Sequence, residues 1–414
     1  MSSTPGFKGP RYLAQTVSTV YPGHALYKWR QVYSGRNYNK MNVVMVGDSV
    51  TFDAGIDAVG ADSAVIAFQR GVVTKLQQYL NGFYVNYGYN DAALLSGQGG
   101  GYHARAAHTS PGSTTDPWVR SGTLTNVAGG QGINRLQLAS GASLSHTAKN
   151  CTGFLWYFKD GSGAGTPHLK IVGSSGTVFA DTDVTMNTGL SAGATSSAGA
   201  TLPRGQYTFT FSYTSGTPVV DSLYVLDGDN RSGVKVYNWG WPGAIVSDFT
   251  TGSGAATAQA AIAGVTPDLV IVMIGTNDYS VGTNPSTFQS SLSTLIDNYR
   301  TTAATVTKAP TFLIVSWFPR YDVSSPTFPW SQYVTAMKTV AASKTETYQG
   351  VTVPYCDFLD MTPYFPTSAT NDADTSSGFV VASPTSGWGV HPTNKGHSWV
   401  AELIAQRLTL PVAV

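Results

Sequence analysis

At 414 residues the chain exceeds the usual length of one domain, and two domains of about half that size would each bury an adequate core without disulfides or metals. Net charge is +1 with no basic or acidic block, which excludes the electrostatic footprint of nucleic-acid or anionic-membrane binding. Charged residues are 11% of the chain, against about 25% in an ordinary globular protein, so Ser, Thr, Asn, Gln and Gly must supply the polar surface.

Residues 1–40 show no strong periodicity and are assigned to an N-terminal arm. Asn42-Val-Val-Met-Val46 is a short apolar run suited to a buried parallel strand, closed by Gly47-Asp48-Ser49. Residues 62–80 come next, with Val65, Ile66, Phe68, Val72, Val73, Leu76 and Leu80 near helical spacing. The texture then changes. From 87 to 230 the chain is rich in Gly, Ser and Thr, and its apolar residues alternate in Phe154–Phe158, His168–Val172, Gln206–Tyr213 and Leu223–Leu226. Turn signals such as Asp160-Gly161 and Pro203-Arg-Gly205 separate these runs, which predicts an antiparallel sandwich of the jelly-roll kind. After Asp229 the α/β rhythm returns, with a strand at Val234–Tyr237, a helix over 244–263 and a strongly apolar strand at Asp268–Ile274. A helix over 285–302 has Pro285 near its start and a stripe of Phe288, Leu292, Leu295 and Ile296. A strand at Thr311–Ser316, a helix over 329–345, a last strand at Val351–Cys356 and a helix at Asn394–Leu408 complete the chain.

Strand–helix alternation with apolar strands predicts a three-layer parallel sheet with right-handed crossovers. The organisation is then an arm (1–40), a discontinuous α/β domain (41–86 and 231–414) and an inserted all-β sandwich (87–230). Cys151 and Cys356 fall in different domains and are expected as buried free thiols; no metal-ligand spacing involves them, and no metal or cofactor is expected. Met1–Pro10 has no basic start followed by an apolar run, so no signal peptide is expected, and no stretch offers about 18 consecutive apolar residues for a membrane span.

In such folds catalytic groups gather beyond the carboxyl ends of the strands. Gly47-Asp48-Ser49 follows the first apolar run, Asn238-Trp-Gly-Trp-Pro-Gly243 the second and Gly275-Thr-Asn277-Asp278 the third, while Gly389-Val-His391-Pro392 lies ahead of the final helix. These blocks, in this order, resemble the SGNH (GDSL-like) hydrolases, whose named residues are here Ser49, Gly243, Asn277 and His391. The resemblance covers roughly 40–86 and 231–414 and not the insert. It implies an SGNH/flavodoxin-like α/β fold and a serine esterase. By the same resemblance Ser49 would be the nucleophile, His391 its base, and the Ser49 and Gly243 backbone N–H groups with the Asn277 amide the oxyanion hole. Asp48 and Asp278 brace their loops. One position departs from the family pattern: the usual Asp three residues before the His is Trp388, whose side chain has no acceptor. Three outcomes stay open. A backbone carbonyl such as that of Trp388 orients the ring, a carboxylate such as Asp372 or Asp374 folds in, or the enzyme is weak or inactive.

Trp239, Trp241 and Trp388 flank these positions, as a substrate cleft or as rim packing. Trp118, Trp156 and Tyr157 read either as a carbohydrate platform or as sandwich core, and His397 as structural. The sequons at Asn150 and Asn230 are expected to be unused. The expected activity is hydrolysis of small acyl esters, such as acetate on a cell-surface or capsular polysaccharide. The expected setting is extracellular or on a virion, as a bacteriophage tail component with virion or like-chain partners. The rivals are an inactive glycan-binding tail protein and a secreted lipase or esterase.

Overall fold

The structure, a computed structural model, describes residues 24–52, 71–82, 100–107, 118–161, 164–185, 194–228, 232–305, 308–320, 322–365 and 391–409. It opens with helix α1 (Tyr27–Tyr33), strand β1 (Lys40–Gly47) and helix α2 (Val72–Leu80). The arm expected over 1–40 is therefore corrected for 24–39: this stretch belongs to the α/β core. Trp29 and Tyr33 are buried, the Tyr33 hydroxyl donates to the Leu80 carbonyl at 2.7 Å, and Arg30 Nη2 donates to the Arg407 carbonyl at 3.0 Å. Seven residues are too few for periodicity to show, so one Trp and one Tyr anchor a helix that pattern-reading misses.

The second α/β stretch supplies β11 (Gly233–Gly240), α3 (Gly252–Val265), β12 (Leu269–Met273) and the short α4 (Thr276–Val281). Helix α5 (Pro285–Ala304) begins where predicted; Asn284 caps it by accepting from Ser286 N–H at 2.9 Å, with Pro285 just inside. Strand β13 (Thr311–Val315) and helix α6 (Trp330–Ser343) come after it. The predicted last strand is corrected. Val351–Pro354 pairs antiparallel with Thr345–Tyr348 as a small hairpin, and the parallel strand is Cys356–Leu359. Gln349 and Gly350 both take positive φ, the geometry of a tight hairpin turn. Pro354 has no N–H to give to a central ladder. Helix α7 (Asn394–Thr409) ends the described chain.

Strands 233–240, 40–47, 269–273, 311–315 and 356–359 lie side by side in that order, all parallel. β12 and β13 are buried throughout, as strands covered on both faces must be. Helices α1, α2 and α7 pack together as one layer and α3, α5 and α6 as the other. The strand order reverses at β1, because the chain steps outward to β11 and then returns across β1 to β12. Ligand crevices in such sheets form at this reversal.

Between β1 and β11 the described residues build an antiparallel sheet of nine strands. In order they are β2 (Gly100–Arg105), β3 (Val119–Ser121), β4 (Leu124–Ala128), β5 (Asn134–Leu138), β6 (Ser143–Asp160), β7 (Thr166–Gly173), β8 (Val178–Asp183), β9 (Ala194–Ser215) and β10 (Val219–Asp227). β6 and β9 run 18 and 22 residues and pair along most of their length. Leu144 pairs with Phe211 and Trp156 with Ala198. Those two rungs are about 40 Å apart along a straight strand, yet the Trp156 and Phe211 ring centroids lie 4.5 Å apart, with the rings tilted by 37°. The ribbon must therefore double over, and the register shifts between Ala148 and Gly153 mark the bend. A core of Trp118, Leu144, Phe154, Trp156, Phe209 and Phe211 fills the fold. Of the two readings of Trp118, Trp156 and Tyr157, the core one holds: all three are buried.

The two parts share one junction. Tyr157, Tyr224, Leu226 and Ile133 of the antiparallel part belong to the core of the α/β part. Arg105 Nη1 donates to the Gly240 carbonyl at 3.1 Å. Asn238 N–H donates to His103 Nδ1 at 3.0 Å; His103 Nε2 meets Ser222 Oγ at 2.8 Å, and Ser222 donates to Gln131 Oε1 at 2.8 Å. Burial, then the charge of Arg105, hold the His103 pKa down to about 3, so the ring is neutral. Cys151 and Cys356 are free and buried, one in each part.

Candidate active site

Three adjacent strands end at one rim. Gly47, the last residue of β1, is in register with Gly240 of β11 and Met273 of β12. Ser49, the Trp241–Gly243 loop and Asn277 therefore leave the sheet side by side. Close approach explains two glycines here. A Cβ on Gly47 would meet the Met273 carbonyl at 2.2 Å, and one on Gly240 would meet Phe52 N at 2.4 Å. Trp241 N–H donates to the Gly47 carbonyl at 2.9 Å and ties the second loop to the first.

His391 comes from the far end of the chain, three residues before α7, and brings Nε2 to 2.9 Å from Ser49 Oγ. With the ring proton on Nδ1, the hydroxyl donates to Nε2, the arrangement in which imidazole takes the proton as the oxygen attacks. Gly243 is exposed, with φ +82° and no atom within 4 Å of where a Cβ would stand. Glycine adopts this backbone without strain. Asn277 is the second residue of the six-residue α4 rather than lying in a loop, and its Nδ2 donates to the Ala244 carbonyl at 3.0 Å.

Two buried carboxyls stand behind these groups. Asp48 Oδ1 accepts from Val50 N–H at 3.0 Å, and Asp278 Oδ2 accepts from Val246 N–H at 3.0 Å, holding the chain just after Gly243. Burial raises Asp48 to about 7, with the Asp278 charge adding to it; burial raises Asp278 to about 6. Both sit as braces under their loops.

Arg320 and Asp322, on the loop after β13, were not among the residues singled out from sequence. Arg320 donates to Asp322 through Nε at 2.9 Å and Nη2 at 2.6 Å, and through Nη1 to Asn277 Oδ1 at 3.1 Å. Burial first, then the Arg320 charge, lower the His391 pKa to about 4, while Asp322 opposes. The signal was available, since the rim rule applied to the run at 311–316 points to this loop.

Trp239 is corrected: it lies fully buried on β11, edge-on to Tyr299 at 6.1 Å, and lines no cleft. Trp241 is half-buried beside Phe52, ring centroids 6.4 Å apart. His397 is structural; its Nδ1 accepts from Val72 N–H at 3.2 Å. Trp388, Asp372, Asp374 and the Asn230 sequon lie outside the described residues, and among the described residues no carboxylate hydrogen-bonds the His391 ring.

A hydroxyl in contact with an imidazole, at the reversal point of a parallel sheet, defines an α/β protein with a serine–histidine pair. Residues 224–399 match the profile of the GDSL-like Lipase/Acylhydrolase family. The match takes in Gly243, Asn277 and His391 but not Ser49, which the antiparallel insertion separates from the rest. A solved structure described as "Peptidoglycan O-acetylesterase in action, 5 min" is similar over 93% of this chain and 95% of its own, with 17% identity and a TM-score of 0.60. That likeness is one of fold. Salicylyl-acyltransferase SsfX3 from a tetracycline biosynthetic pathway is 13% identical over 76% of this chain and 99% of its own, with a TM-score of 0.32. The module CsCBM6-3 from Clostridium stercorarium, in complex with cellobiose, is 15% identical over 26% of this chain and 85% of its own, with a TM-score of 0.21. At such scores no shared fold can be argued from the last two. No curated protein matches the chain.

Proposed function

We propose that this protein is a carboxylester hydrolase working through an acyl-Ser49 intermediate. The observation that carries the reading is the 2.9 Å contact between Ser49 Oγ and His391 Nε2. Oγ attacks the ester carbonyl carbon as Nε2 takes its proton. The carbonyl oxygen, now negative, is received by the Ser49 and Gly243 N–H groups and the free N–H of Asn277 Nδ2. The tetrahedral adduct collapses, and the alcohol leaves with the proton from His391. Water repeats the sequence and releases the acid, restoring Ser49.

We further propose a small acyl group, such as acetate, on a cell-surface or capsular polysaccharide. The fold shared with a peptidoglycan O-acetylesterase along nearly the whole chain supports this choice. An extracellular or virion setting is in keeping with a surface carrying few charges. The test is turnover of p-nitrophenyl acetate and longer esters, and acetate release from O-acetylated glycans. Short chains should be preferred, and Ser49→Ala should reduce the rate by at least about 10³-fold. Equal turnover by Ser49→Ala removes the mechanism. Glycan binding without turnover replaces it with the binding-protein reading.

A further inference from the structure

Asn277 presents an amide whose two ends have nearly the same shape and opposite polarity. An amide serves an oxyanion only with its NH2 end toward the substrate, so something must forbid the flipped state. The Ala244 carbonyl accepts from Nδ2 at 3.0 Å, and Arg320 Nη1 donates to Oδ1 at 3.1 Å. A guanidinium has no acceptor, so a flipped amide would set two donors against each other. It would also set two acceptors together at Ala244. Arg320 is itself held: Asp322 takes its Nε and Nη2, which leaves Nη1 for the amide.

We propose that Arg320, clamped by Asp322, is a positioning residue that fixes the Asn277 amide for the oxyanion and polarises it. The proposal rests on the esterase reading above, with Asn277 as an oxyanion donor. Nδ2 carries two hydrogens; Ala244 takes one, and the other is left for the substrate. A charged donor on Oδ1 draws electron density through the amide and strengthens that remaining N–H. The Arg320 side chain is 21% exposed, so water screens its charge only in part. Lysine cannot substitute, because an ammonium lacks the fork that engages a carboxylate and an amide oxygen at once.

The test uses the full chain and p-nitrophenyl acetate, with Ser49→Ala, Asn277→Ala, Arg320→Met, Arg320→Lys, Asp322→Asn and the double variant Arg320→Met/Asn277→Ala. Loss of one oxyanion donor costs about 10²–10³-fold in rate. Arg320→Met should therefore lower kcat by about 10–100-fold, with KM within about threefold of wild type. Arg320→Lys should recover less than half of that loss on a logarithmic scale, and Asp322→Asn should lower kcat by about 3–10-fold. With Asn277 already Ala, removing Arg320 should cost less than about threefold more, because the two act as a unit. The groups facing His391 among the described residues are Ser49, Arg320 and Asp322. Arg320→Met should thus shift the acid limb of kcat/KM to higher pH, which a purely structural role would not do. Wild-type kcat in Arg320→Met, or losses that multiply in the double variant, overturns the proposal alone. Absence of Ser49-dependent turnover overturns the esterase reading and the proposal with it. If thermal melts show Arg320→Met unfolded, Arg320→Lys and Asp322→Asn decide: both at wild-type kcat overturns the proposal.

Discussion

His391 sits between the Ser49 hydroxyl and a cation, Arg320, that disfavours protonation of the ring. Its pKa is lowered to about 4, by burial first and by Arg320 second. The protonated ring cannot accept from Ser49, so kcat/KM should stay level from neutral pH downward and fall only as pH drops through about 4. An acid limb near 6.5 would show that the ring is not held this way. Stability changes with a definite sign. The unfolded chain protonates this histidine near 6.5, while the folded chain resists until about 4. The unfolded state therefore binds more protons between those values, and stability falls as pH drops from about 6.5 toward 4.

Asp48 behaves in the opposite way, its carboxyl being raised to about 7 by burial. Below that pH it is neutral in the fold, and it loses stability for the protein as pH rises from about 4 to 7. Asp48→Asn keeps an oxygen for Val50 N–H without the charge, and should cost less than about 1 kcal/mol at pH 7. Asp48→Ala leaves that buried donor unpaired and should cost about 1–3 kcal/mol. Urea denaturation of both variants at pH 5 and 8 checks this ordering.

At the scale of elements, the antiparallel part does more than interrupt the α/β part. Its strand β2 sends Arg105 to the carbonyl of Gly240, the residue from which the Trp241–Gly243 loop departs. The Gly130–Gly132 turn exists to make room for this junction. A Cβ on Gly130 would strike Asp221 at 2.1 Å, and one on Gly132 would strike Arg105 Nη1 at 2.0 Å. Asp221 accepts from Gln131 N–H at 2.8 Å and lies in the field of Arg105 and Arg135. Removing one member of a buried charge cluster leaves the rest uncompensated. Arg105→Met should cost about 3–5 kcal/mol in a denaturant titration. A loss below about 1 kcal/mol would mean the junction is incidental.

For the whole molecule, the shared core predicts one cooperative unit. Tyr157, Tyr224 and Leu226 lie in the α/β core, and His103 bonds the backbone of β11 at Asn238. Scanning calorimetry should show a single unfolding transition, and deleting residues 100–227 should yield insoluble protein. Two separated transitions would return the antiparallel part to the status of an independent insert.

The parallel strands, the buried free cysteines and the three blocks at the strand ends were legible in sequence, because each is written in contiguous residues. Apolar runs announce strands covered on both faces, and Gly-Asp-Ser or Gly-Thr-Asn-Asp marks the polar rim where those strands end. Helix α1, the swap of 351–356 for the strand at 356–359, the burial of Trp239 and the parts played by Arg320 and Asp322 were not so written. Each depends on which distant surface a residue meets: Trp29 on the core near α7, Trp239 on Tyr299, Arg320 on Asn277. Periodicity carries local geometry, and a motif carries the kind of chemistry a residue offers. Whether an indole lines a cleft or fills a core, and which amide a guanidinium grips, is decided only when strands far apart in the chain are laid in register.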